Sequence, residues 1–379
     1  MTRRERTDRP VTAQTPARGA RFAFIDEFRG LIGVMMALGH SNYYFNSAWL
    51  SLDPIDPFFD NTPQFLLRYM GYLCAPGFLM MNGAMAHYVF WRRRGNGEAA
   101  GAVRWGFIQR GLFLVAVQWL WVNASWSGFD RLRLDHLGII ATIGLSMILV
   151  VLLAGWRWQA RAALAAMLFL VHPLLLRIPY DHGAPVHYVM QLLVDAGDFT
   201  KYPLIPWFAL ALAGSVMADF WCTTWTDADV RARRSIGVGL GLVALAYLVR
   251  LGHGYGNLFA WNTFFSYSFF LVQKYPPSLA HQLWLCGTVI ALVGVFSWID
   301  ARSRVLRPLA KVGQVPLFFY CVHIPVLALV ARRLGLFYHE SAVMGSLIGW
   351  VALLAAMAPL VVWFGGVKRR NRSWLVRMI

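Results

Sequence analysis

The chain has 379 residues, of which 58% are hydrophobic and 15% aromatic, while only 14% are Asp, Glu, Lys or Arg; the mean hydropathy is +0.50. A soluble domain spends about a quarter of its residues on those four types, so this composition excludes a soluble enzyme, a disordered chain and a disulfide-stapled secreted domain. The net charge of +17 is scattered through short gaps between apolar runs, as in the loops of membrane proteins. It forms no contiguous basic surface that would track nucleic acid.

About 20 apolar residues span the hydrocarbon core as a helix. In chain order, such segments are Glu27–Asn46, Phe65–Trp91, Trp105–Ser125, Leu134–Ala154, Gln159–Ile178, Tyr202–Cys222, Ser235–Leu251, Leu279–Trp298, Gly313–Val330 and Met344–Phe364. The expected fold is all-α: a polytopic integral membrane protein of about ten transmembrane helices. The stretch Asn262–Gln273 is aromatic but short, which suits an interfacial or re-entrant segment. Met1–Ala20, rich in Arg, Thr and Pro, reads as a disordered basic tail rather than a cleaved signal. Residues 21–370 form one membrane domain, and 371–379 a second short tail. The cysteines Cys74, Cys222, Cys286 and Cys321 lie in or beside apolar runs and read as packing residues.

Lys and Arg fix the orientation. With the N-terminus in the cytoplasm, the tail, Arg92–Arg94, Arg104, Arg157, Arg161, Arg231–Arg234, Arg302–Lys311 and Lys368–Arg377 share one side. Arg131, Arg133, Arg177, Lys201, Arg250, Lys274, Arg332 and Arg333 fall on the other. The bias is about three to one, with both termini inside, and suits a bacterial inner membrane.

Ionisable residues inside spans are costly and tend to mark pathways or partners. The first span carries Asp26, Arg29 and His40. Asp26 and Arg29, at i,i+3, can pair on one face. Arg29 and His40 are eleven residues, about three turns, apart, so they project from nearly the same side, about 16 Å from each other along the axis. Such a stripe suits a ligand with a charged head at the membrane surface and a reactive end within. Acyl-CoA has that form: its phosphates would meet Arg29, and its thioester would reach His40, whose neutral imidazole can take a proton near neutral pH. Arg110, one turn into the third span, is a further candidate for the phosphates; Arg92–Arg94 is first a topology determinant.

Arg29-x10-His40 in a first transmembrane helix resembles the transmembrane acyltransferase superfamily. IDEFRGLIGVMMALGH (Ile25–His40), YLCAPGFLMMNGAMA (Tyr72–Ala86), YPLIPWFALALAGSVMA (Tyr202–Ala218), KYPPSL (Lys274–Leu279) and VGQVPLFFYCVHIP (Val312–Pro325) are more specifically similar to the DUF1624 branch. That branch includes relatives of the lysosomal heparan-alpha-glucosaminide N-acetyltransferase. The resemblance implies transfer of an acetyl or other acyl group from cytoplasmic acyl-CoA, a co-substrate rather than a resident cofactor, to a sugar or envelope glycan across the bilayer. It implies Arg29 and His40 at the donor end and the catalytic step, and brings Lys274, Tyr275 and His323 into matching motifs as acceptor-site candidates. In the lysosomal pattern the position of His40 is Asn, and the reactive His lies in the first non-cytoplasmic loop. The loop here, Ser47–Pro63, holds no His, which speaks against heparan as the acceptor and leaves His40 as the catalytic imidazole of this region. Direct transfer with His40 as base and passage through an acyl-histidine are both open.

The other polar groups read more plainly. Asn82, Gln118 and Asn123 suit bonds between helices. Asp53, Asp56 and Asp60, among prolines, suit an exposed turn. His172, His182 and His187 with Asp181 have no metal-ligand spacing and read as loop residues; no metal is expected. Neither a phosphate-binding GxxxxGK[ST] loop nor a GxGxxG turn occurs. A transporter or flippase for a lipid-linked sugar explains the buried polar stripe as well as an enzyme does, and a homo-oligomer is compatible with either.

Overall fold

The computed structural model describes residues 22–48, 61–371 and 373–379. The expected tail Met1–Ala20 and the turn carboxylates Asp53, Asp56 and Asp60 lie outside the described residues. Among the described residues the protein is helical, without a strand. The helices are α1 (Ala23–Phe45), α2 (Thr62–Met70), α3 (Cys74–Gly95), α4 (Ala100–Val117), α5 (Ile139–Leu152), α6 (Trp158–Leu175) and α7 (Val186–Leu193). They continue as α8 (Leu204–Asp219), α9 (Ala228–Leu251), α10 (Leu279–Asp300), α11 (Arg307–Gly313), α12 (Pro316–Leu327), α13 (Val343–Arg370) and α14 (Trp374–Met378). Helices α4, α8 and α12 run on through π-helical turns at Gln118–Val122, Phe220–Thr224 and Ala328–Arg333.

Each expected span overlaps a helix, and six helices are long and apolar enough to cross a membrane: α6, α8, α9, α10, α12 and α13, with α8 and α12 counted through their π turns. Helix α5 is apolar but has only 14 residues, about 21 Å against a core of about 30 Å. Phe65–Trp91 is two helices, α2 and α3, joined by a 3-10 turn at Gly71–Leu73. Helix α1 is diluted by Asp26, Glu27, Ser41 and Asn42, all buried. Those side chains face protein, so α1 needs no apolar surface of its own. It packs against α3, α10, α11, α12 and α13 at the centre of the bundle. Helices α8 and α10 are also mostly buried, whereas α9 and α13 turn Leu240, Leu248, Ile348 and Val351 outward, as a lipid-facing surface requires. The protein is a helical membrane protein.

Two glycine contacts set how closely the central helices approach. A Cβ on Gly30 would collide with the Leu309 carbonyl, and one on Gly313 with the Asp26 carbonyl, so α1 and α11 touch backbone to backbone beside Arg29. Gly83 and Gly214 do the same for α3 and α8, against Ala211 and Met80. Small residues at such crossings let dispersion and weak polar contacts replace the hydrophobic drive that lipid does not supply.

Two arginines used for the orientation are not surface groups. Arg161 is 1% exposed; it pairs with Asp219 and donates to the Ser215 carbonyl (2.7 Å) and hydroxyl (2.9 Å). Arg250 is also 1% exposed and donates to the carbonyls of Phe269 (2.9 Å), Phe259 (2.5 Å), Ser268 (2.6 Å) and Leu271 (3.1 Å). A buried guanidinium persists only when its donors are matched, and here the partners pin the segment 257–271 against α9. That segment is irregular apart from one turn, Tyr267–Phe270. It leads to Lys274 and to Ser278, whose side chain caps α10 by accepting from the His281 amide (3.1 Å).

Candidate active site

A cavity of about 1450 Å³ runs between α1, α3, α4, α5 and α12, with Arg29 in its lining at one end and Lys274 at the other. Arg29 and His40 both line it, so the three-turn stripe on α1 faces one space. Asp26 holds Arg29 from the preceding turn, Oδ1 to Nη1, at 3.4 Å. Arg92, Arg93, Arg110, Lys368 and Arg377 join Arg29 at its end of the cavity; Lys274, Tyr275, Tyr202, Lys201 and Arg133 line the opposite end. Among the described residues the lining holds ten Lys and Arg and no Asp or Glu. A low-dielectric channel with that lining concentrates anions. Arg93 is already engaged by Glu98, Nε to Oε1 at 2.8 Å and to Oε2 at 3.0 Å. The hydrogen bond from Arg93 holds the half-buried Glu98 carboxyl below its ordinary range.

His40 sits between the two ends, half-buried. Its ring meets Trp126 edge-on at 5.0 Å and Tyr320 at 5.9 Å. Behind it, wholly buried, is His323, with the two rings 5.0 Å apart and inclined by only 5°. His40 Nδ1 lies 2.8 Å from His323 Nε2, and His323 Nδ1 lies 2.7 Å from the Phe319 carbonyl. These contacts fix the tautomers of the neutral pair. A carbonyl only accepts, so His323 Nδ1 carries the proton and Nε2 is a lone pair. His40 Nδ1 must then donate, which leaves His40 Nε2 as an unprotonated base.

At the far end Lys274 Nζ donates to the Gly71 carbonyl (3.3 Å) and stands over the rings of Tyr72 (5.6 Å) and Tyr275 (5.1 Å). The Tyr202 and Tyr275 hydroxyls are bonded at 2.8 Å. Of the residues singled out in the sequence, Arg29, Arg110, His40, Lys274 and Tyr275 therefore share one cavity; Asp26 and His323 stand just behind it, each on a residue that lines it. The pairing of His40 with His323, the Tyr202 hydroxyl and the residues after position 367 were not expected. Tyr202 begins a motif already noted, so its position beside a span was a usable signal.

The model of one protein family, heparan-alpha-glucosaminide N-acetyltransferase, catalytic, matches residues 21–246, more than half of the chain. The chain belongs to this family. No curated protein matches it. The region matched by the N-acetyltransferase family includes Arg29, His40 and Arg110 and ends before Lys274, Tyr275 and His323. The family is one of acetyltransferases, and the helices place this member in a membrane.

Asn82, Gln118 and Asn123 also line the cavity, and their side chains are engaged within the protein. Gln118 accepts from the Ile140 amide (3.1 Å) and donates to Asn123 (2.7 Å), and Asn82 donates to the Ile143 carbonyl (3.2 Å). His172 is not a loop residue: it is wholly buried in α6, its Nε2 2.8 Å from the Val194 carbonyl. His187 is not a loop residue either: it lies in the first turn of α7, its Nδ1 2.8 Å from the Ala184 carbonyl. The cysteines are unbridged.

Proposed function

We propose that this protein transfers an acetyl or other acyl group from cytoplasmic acyl-CoA to an amine or hydroxyl of a sugar or envelope glycan on the far side of a bacterial inner membrane. The observation that carries the reading is His40: an imidazole with an unprotonated Nε2, in the lining of a cavity that is basic at both ends. The excess of Lys and Arg at the Arg29 end supports a cytoplasmic placement of that end, with both termini inside.

Arg29, oriented by Asp26, and Arg110 bind the donor phosphates, and the acyl-pantetheine arm extends along α1. Lys274, Tyr275 and Tyr202 hold the acceptor. His40 Nε2 removes the proton from the acceptor nitrogen or oxygen as it attacks the thioester carbonyl carbon. The new C–N or C–O bond forms as the C–S bond breaks. The departing CoA sulfur takes the proton from His40, which restores the starting tautomer. His323 is a positioning residue: its lone pair holds His40 Nδ1–H and so keeps Nε2 free, as second partners of catalytic imidazoles do. The Phe319 carbonyl fixes His323 in turn.

The test is release of free CoA thiol by the purified protein given acetyl-CoA and amino-sugar or glycan acceptors. Acceptor-dependent release is expected. No release from any acyl donor by a folded preparation would remove the reading. Sequential kinetics would accompany direct transfer, and ping-pong kinetics an acyl-His40.

A further inference from the structure

After Arg370 the chain does not run away from the bundle. The Asn371 amide donates to the Val367 carbonyl (2.8 Å), and the Asn371 side chain accepts from the Ser373 amide (2.8 Å). Trp374, Arg377 and Met378 of α14 line the cavity together with Arg29. Met378 is 9% exposed and lines the cavity, so it anchors the turn. Trp374 meets Phe113 edge-on at 5.8 Å, and Phe113 is one turn beyond Arg110 on α4. The indole is nonetheless 55% exposed. Lys368, Trp374 and Arg377 all line the mouth. An aromatic face held in place at the rim of a basic opening, with cations on both sides of it in sequence, is the arrangement that stacks a nucleobase and takes its phosphates.

We infer that α14 is the nucleotide-binding lip of the donor site: Trp374 stacks on the adenine of the acyl-CoA, and Lys368 and Arg377 bind the phosphates beside it. The inference rests on the Arg29 end being the acyl-CoA entrance. It assigns the C-terminal turn a part in donor recognition that neither Arg29 nor Arg110 can supply, since both lie inside the opening.

The experiment is calorimetric titration of the purified full chain with adenosine 3′,5′-bisphosphate, the nucleotide portion of CoA without its thioester arm. Wild-type protein binds, Trp374→Ala binds about tenfold more weakly, and Trp374→Phe, which keeps a ring, stays within about twofold of wild type. Arg377→Ala weakens binding more at low salt than at high salt. In the transfer assay Trp374→Ala raises KM for acetyl-CoA but not for S-acetyl-4′-phosphopantetheine, which lacks the adenosine. Failure of the wild type to bind, equal binding by Trp374→Ala, or an equal KM change for both donors would each overturn the inference. Trp374-dependent binding without thiol release would leave the lip standing and remove the acetyl-transfer reading instead.

Discussion

His40 and His323 are 283 positions apart in the chain, yet their rings are nearly parallel and joined Nδ1 to Nε2 at 2.8 Å. The wholly buried ring is in turn fixed by the Phe319 carbonyl one helical turn earlier. The pair therefore has a direction: protons point from His40 to His323 to Phe319, and the remaining lone pair, on His40 Nε2, is left for the cavity.

His40→Ala removes that lone pair. Acetyl transfer is expected to fall about 10²–10⁴-fold in kcat, the usual worth of a positioned general base, while acetyl-CoA binding persists. Thiol release and a separate donor-binding titration on the same preparation check it.

His323→Asn acts through His40. Loss of the hydrogen bond that fixes the tautomer, at about 1–3 kcal/mol, is expected to lower kcat by about 10–100-fold with KM for acetyl-CoA unchanged. A packing defect alone would instead lower the folded fraction and leave kcat per folded molecule intact. Steady-state kinetics normalised to folded protein by size-exclusion chromatography separate the two.

Arg29→Ala and Arg110→Ala should raise KM for the donor about tenfold each, with little change in kcat, because each removes one charge-assisted bond worth about 1.5–3 kcal/mol to a charged group. The wild-type KM is expected to rise with salt, and the variants' to rise less steeply. Asp26→Asn should share the KM effect in weaker form, since Asp26 orients Arg29 from 3.4 Å. KM measured across an ionic-strength series decides this.

Gly30→Ala forces a methyl into the Leu309 carbonyl, where α1 meets α11. Overpacking at a rigid backbone contact is expected to cost about 1–3 kcal/mol and to lower the unfolding temperature of the detergent-solubilised protein. Gly241→Ala, exposed on α9 with nothing near its added methyl, should leave it unchanged or raise it slightly. Thermal unfolding of the two variants side by side is the check.

Much of this architecture is legible in the sequence, because apolar run length and helical periodicity are local. The helix positions, the shared face of Arg29 and His40, the pairing of Asp26 with Arg29 and the helix entry after Lys274–Ser278 follow from spacing. The partner of that face does not. Periodicity shows that α1 has a polar stripe but not which helix it meets, so the contact of His323 with His40 could not be read from spacing. Arg161 and Arg250 read as loop charges because a buried guanidinium and a surface one look alike until Asp219 and the carbonyls of 259–271 are folded around them. The C-terminal turn, short and basic, gave no sign that Trp374 and Arg377 return to the cavity.

Reconstitution in sealed vesicles tests the central claim most directly. Labelled acetyl-CoA is supplied on the side of the Arg29 mouth, and a membrane-impermeant amino-sugar acceptor is enclosed on the other. Acetylated sugar is expected inside, with one free thiol appearing outside for each acetyl transferred and loss of both in His40→Ala. Movement of sugar across the membrane with no thiol released would contradict the claim and identify a transporter.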